Sequence, residues 1–146
     1  MAYDLPPIIK SAEQLLAAAY AAASGFPRKH RYSLGTRLEE DARAVVRMAT
    51  RAARESQRKL HWAEQLVWAV DEVKFTLRLA KDAEALKGFA QFEALIHLAE
   101  NVGRQAGGWR RQLQQHSKGQ NSESHGGAPE RAKTLSTRPA SMGAHA

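Results

Sequence analysis

Between Leu38 and Ala53 apolar residues return every three or four positions: Leu38, Ala42, Val45, Ala49, Ala52 and Ala53. At about 100° per residue they share one face of a helix, and a strand, with its period of two, could not bury them together. The opposite face carries Arg43, Arg47, Arg51, Arg54 and Arg58, all within roughly 80° of one another. A segment of this kind has to lie on the outside of a helical core, with its arginines in water.

Three further stretches share the helical period. The first is predicted over Pro7 to Ser24, with Ile8, Ala12, Leu15, Leu16, Ala19 and Ala23 in register. Pro7 suits its first turn, and Gly25 and Pro27 end it. The arginine-bearing helix is predicted over Ser33 to Gln57, with Ser33 as N-cap and Glu39, Glu40 and Asp41 near its favourable positive end. A third helix, His61 to Glu84, carries the core stripe Leu66, Val70, Val73 and Leu77. No glycine or proline separates it from the second, so the break is assigned to the polar run ESQRK. The fourth, Gly88 to Gln115, has the stripe Phe92, Leu95, Ala99, Val102, Ala106, Trp109 and Leu113. Gly103, Gly107 and Gly108 weaken it by about 1 kcal/mol each relative to alanine, but leave room for another backbone. Four long helices with short connections predict an all-α, antiparallel up-and-down four-helix bundle over residues 1–116. Residues 117–146 are rich in Ser, Gly, Pro and His and poor in large apolar groups; a disordered, mildly basic tail is expected.

Composition narrows the function classes. The chain has 146 residues and no cysteine, enough for one core and incompatible with disulfides, thiolate zinc sites or a cysteine nucleophile. No apolar run approaches the ~20 residues of a membrane span. The N-terminal MAYDLPPIIK has neither the basic n-region nor the A-x-A site of a signal peptide, so no membrane association and a cytoplasmic location are expected. The formal net charge of +7 points to a polyanionic partner. Wet helix faces usually mix signs, because like charges at i,i+4 cost a few tenths of a kcal/mol per pair. Four consecutive arginine-to-arginine spacings therefore read as a rail for phosphates or for an acidic protein surface, both of which suit the planar guanidinium fork.

The third helix is apolar twice over. Trp68, Phe75, Leu79 and Leu86 recur about 180° from its core stripe. Leaving such side chains wet forgoes about 1.5–3 kcal/mol each, so they are assigned to an oligomer interface. Lys74, Arg78 and Lys81 lie between the two stripes and are counted among the candidate nucleic-acid contacts. Catalytic signals are missing. Glu93, His97 and Glu100 share one face, but lack the Glu-x-x-His order and the partner helix of a bundle metal site. No Walker loop, Rossmann glycine pattern or HExxH occurs. No catalytic residue, metal or cofactor is expected.

Three motifs occur in order: FPRKHRYSLGTRLEE (Phe26 to Glu40), LRLAKD (Leu77 to Asp82) and GGWRRQL (Gly107 to Leu113). Over about residues 5–113 the chain resembles the four-helix-bundle family of the accessory variability determinant of diversity-generating retroelements. A sister group is encoded in intervening sequences of bacterial ribosomal RNA genes. The resemblance implies a barrel-shaped homopentamer that binds nucleic acid and associates with a reverse transcriptase. That polymerase copies template RNA into error-rich cDNA, which replaces part of a target gene by mutagenic retrohoming. It further implies that Arg28, His30, Arg31, Tyr32, Arg37, Arg78, Lys81, Trp109 and Arg110 belong to recurring motifs. Phe26 and Tyr32 are expected to pack against the bundle end, the alternative being that they stack on RNA bases. Arg28, Lys29 and Arg31 have no structural task in the turn and, repeated around a ring, would form a positive rim. They join Arg37, Arg110, Arg111 and the rail as candidate nucleic-acid contacts. Five copies would carry about +35, five times the +7 of one chain. The alternative is an rRNA-associated scaffold or RNA-binding bundle without a polymerase partner.

Overall fold

Proline has no amide hydrogen to leave unpaired, and the first helix begins with one: α1 spans Pro7–Ser24. The computed structural model describes residues 5–124, and among them every regular element is helical. After α1 come a short α2 (Arg28–His30), a π turn (Arg31–Gly35), α3 (Thr36–Arg54), α4 (Lys59–Asp82) and α5 (Phe89–Ser124).

Helical backbone thus begins before Ser33, directly after Pro27, with α2 and the π turn leading into the arginine-bearing α3 at Thr36. Ser33 caps nothing: it sits inside the π turn, and its hydroxyl donates to the His30 carbonyl at 3.4 Å. The break between α3 and α4 falls within Glu55 to Arg58, on the polar run read from the sequence. Glu55 is extended, and Arg58 takes the left-handed conformation with φ 61°. Lys59 closes the α3 end by donating from Nζ to the carbonyls of Ala52 (3.0 Å) and Ala53 (3.4 Å). The end of α4 uses the same device without glycine. Glu84 is left-handed (φ 59°), and the Ala85 amide reaches back to the Ala80 carbonyl at 2.8 Å, the 6→1 bond of a helix-terminating reversal.

Cross-helix contacts fix the arrangement of the Met1–Arg111 unit. Thr76 meets Asp41 and Glu72 meets Arg37, whereas Trp62 lies under Arg51, so α4 runs against α3. Gly103 faces Val70, and Phe92 lies beneath Lys81, so α5 runs against α4. Asn101 and Gln105 both donate to Ser11 Oγ, at 3.2 and 2.9 Å, while Gly25 lies beside Lys87; α5 therefore also runs against α1. Arg43 reaches Tyr20, and Gly35 lies against Ala23. Each long helix touches two antiparallel neighbours, which is the expected four-helix bundle.

The core has few large side chains. Leu15, Leu38, Leu66, Leu77 and Phe26 are its largest fully buried members, and alanines fill much of the remainder. Small residues let helices approach closely. A Cβ on Gly103 would stand 3.4 Å from Val70 Cγ1, a side chain, whereas Gly108 has open space, so no other backbone makes the expected close approach at these glycines.

Leu86 corrects the sequence reading. It follows the end of α4 and is buried in the core of its own chain, because the reversal at Glu84 turns it inward; it does not belong to an outer stripe. Tyr32 is corrected in the other direction: it is 79% exposed, whereas Phe26 is buried as expected. Gln112 begins a second unit. α5 carries this unit in helical form through Ser124, into the segment read as a tail; the rest of that expected tail, residues 125–146, lies outside the described residues.

Candidate nucleic-acid interface

Core demands on α3 place its arginines. With Leu38, Ala42, Val45, Ala49 and Ala52 buried, geometry turns Arg43, Arg47, Arg51, Arg54 and the following Arg58 outward, and all five are exposed. They are not equivalent. Arg43 donates to the Tyr20 hydroxyl and lies 5.2 Å from that ring's centroid. Arg51 pairs with Glu55 at 2.9 Å and stacks 4.9 Å over Trp62. Arg58 approaches the same indole at 5.6 Å, and the indole N–H donates to Glu55 at 2.6 Å. Trp62 thus anchors two rail arginines while its own polar atom is satisfied. Arg47, in the middle, has no hydrogen bond, ion pair or ring contact with a described residue.

Arg37 belongs to a different structure. Its Nε donates to Asp41 at 3.0 Å, and a terminal nitrogen donates to Glu72 at 3.4 Å. The charge of Asp41, reinforced by that hydrogen bond, holds the guanidinium above its ordinary pKa. Asp41 is buried and also accepts a 2.5 Å bond from the Thr76 hydroxyl. A carboxylate inside a bundle requires such partners. Sequence reading assigns Asp41 to helix-start electrostatics; the structure makes it the polar tie between α3 and α4.

The other candidate cations divide between the two ends of the bundle. Arg28, Lys29 and Arg31 are exposed around α2 and the π turn, although one Arg31 nitrogen donates to the Phe26 carbonyl at 3.4 Å. Lys81 belongs to this end and lies 4.7 Å over Phe92. Arg78 is exposed one turn before the α4 terminus. At the far end Lys59 lies 5.9 Å from the Trp109 ring. Arg110 follows, half-buried, its Nε enclosed without a hydrogen-bond partner, and Arg111 is exposed. Lys74 is half-buried in a groove between α4 and α5 of about 320 Å³, shared with Asp71, Glu100 and Arg104. The structure therefore brings the rail into one row, and does not gather Lys74, Arg110 or Arg111 onto it.

Sequence reasoning missed Tyr20, Glu55 and Trp62, which hold rail arginines in place. Only Trp62 left a readable trace, standing four residues after Arg58 and seven after Glu55. On α4, Trp68 (67% exposed), Phe75 (52%) and Leu79 (42%) remain in solvent, as the two-sided pattern required.

No group of three or more His, Asp or Glu able to hold a metal occurs among the described residues, and none of their helices is long and apolar enough to cross a membrane. The chain belongs to the bAvd-like family, which matches residues 8–113, and this family is one of accessory, non-catalytic proteins associated with diversity-generating retroelements. No curated protein matches the chain.

Proposed function

We propose that this protein is the nucleic-acid-binding accessory subunit of a diversity-generating retroelement reverse transcriptase, and that it supports mutagenic cDNA synthesis and retrohoming. The observation that carries the reading is the outward row of arginines on α3 in a chain of this family. Arginine forks grip phosphate oxygens two at a time, and a row of them follows a polynucleotide backbone with little regard for sequence. Template RNA and cDNA are the substrates held; the polymerase performs the chemistry.

Self-association completes the reading. Trp68, Phe75 and Leu79 form an apolar line on α4, and covering each stabilises an assembly by up to about 1.5–3 kcal/mol. A homopentamer closed through this face would repeat the α3 row around its circumference and concentrate the cationic field.

Co-purification of the full chain with a diversity-generating retroelement reverse transcriptase encoded beside it, where its gene has such a neighbour, with and without RNA, tests the proposal. Capture of the polymerase, together with salt-sensitive RNA retention in filter binding, is expected. No retention at low salt overturns the nucleic-acid reading. RNA binding without polymerase capture, from a gene lying in an rRNA locus, favours the intervening-sequence type of bundle instead.

A further inference from the structure

The α1–α2 and α4–α5 connections meet at one end of the bundle, where a Cβ on Gly25 would stand 3.2 Å from Lys87 Cε. Two large rings there lie mostly in water, although Phe89 touches Phe92 with ring centroids 5.8 Å apart. Tyr32 is 79% exposed and Phe89 64% exposed. Their neighbours differ: Phe26 is buried, and Phe92 is half-buried beneath Lys81. Tyr32 sits in the π turn Arg31–Gly35, and single π turns recur at functional sites. Phe89 borders a cavity of about 380 Å³, also lined by Lys81, Glu84 and Lys87. Arg28, Lys29 and Arg31 are exposed on the adjoining connection, so cations outnumber the single acid, Glu84, in this group.

We infer that this end of the bundle is a stacking site for unpaired bases, so that the protein selects single-stranded over duplex nucleic acid. The inference rests on the nucleic-acid reading above and adds the strand type. Arginines on α3 address phosphates, which both strand types carry. Exposed rings among cations address base faces, which a duplex hides within its own stack and a single strand offers. Aliphatic residues would suit a protein partner's apolar face equally well; flat rings interleaved with lysine and arginine suit a base above a phosphate.

Fluorescence anisotropy of the full chain with a labelled single-stranded RNA, and with the same RNA annealed to its complement, tests this. Tyr32→Ala and Phe89→Ala are each expected to weaken single-strand binding about tenfold. Duplex binding should stay within about twofold, and the salt slope should not change, because no charge is removed. Tyr32→Phe retains the ring and should bind like the parent. Equal weakening on both RNAs, no weakening on either, or a change in assembly mass by light scattering overturns the stacking site alone. So does loss of polymerase capture with single-strand binding intact, which would assign the rings to a protein partner. Failure of the parent protein to bind either RNA overturns this inference together with the proposed function.

Discussion

The outer faces of α3 and α4 differ, although both helices bury an inner face of similar aliphatic character against the same core. α3 presents Arg43, Arg47, Arg51, Arg54 and Arg58 to solvent, whereas α4 presents Trp68, Phe75 and Leu79. Burying the core requires neither set, although Arg43, Arg51 and Arg58 also contact Tyr20, Glu55 or Trp62 of their own chain. Any soluble mixture of charges would satisfy a wet helix face, so core burial alone explains neither display. One face suits a polyanion. The other suits an apolar surface, for which a second copy of the same chain is the proposed source.

Charge reversal in the row is the strongest way to break this contrast. Arg47→Glu, Arg51→Glu and Arg54→Glu together should reduce RNA retention about a hundredfold or more. The slope of log affinity against log salt should flatten by about 0.7 for each phosphate no longer neutralised. Retrohoming should be abolished while assembly mass is unchanged; a triple variant that diversifies its target normally makes the row an ordinary wet surface. Arg51 also holds Glu55 and Trp62, so a melting curve on the same protein is needed to separate binding from stability.

The reciprocal change comes next. Trp68→Ala with Phe75→Ala should weaken self-association by about 2–4 kcal/mol, the scale of aromatic hot spots, and shift the light-scattering mass downward at low concentration. Helical content should be retained. An unchanged mass would mean that another face closes the assembly.

A smaller effect probes the tie between the two helices. Thr76→Val keeps the shape but removes the hydroxyl that donates to Asp41. A loss of about 1–3 kcal/mol in urea unfolding is expected, with RNA affinity per folded protomer unchanged. The smallest effect concerns Arg58, which occupies a left-handed conformation that disfavours any residue bearing a Cβ. Arg58→Gly should leave stability level or raise it by up to about 1 kcal/mol, while removing one rail cation. A larger drop would mean that its stacking on Trp62 outweighs the backbone strain.

Periodicity makes much of this legible. The predicted bounds of α1 are the observed ones, and Leu38, Ala42, Val45, Ala49 and Ala52 fall where spacing puts them, because a helix fixes azimuth from spacing alone. Exposure of Trp68, Phe75 and Leu79 follows from the same rule. Leu86 breaks it because the helical register ends at Asp82, and the left-handed Glu84 then reverses the chain. Neither Glu84 nor Arg58 belongs to the residues that usually announce such a turn, so both ends of α4 are shifted from their predicted places. The partners of Asp41 and Arg37 lie 35 positions away on α4, and no local pattern connects residues that distant. Residue type alone assigns Tyr32 to packing, but its neighbourhood is set by a π turn that leaves no mark on composition.

The buried carboxylate of Asp41 has a geometric consequence. Were α3 to slide one turn along α4, that group would keep Arg37 of its own helix but lose the Thr76 hydroxyl, at a cost of about 1–3 kcal/mol, whereas interchangeable alanines and valines would tolerate the shift. The polar pair therefore acts as a pin that sets the angle between the greasy meridian and the cationic one. In a closed ring that angle would decide whether the arginines look outward, inward or sideways.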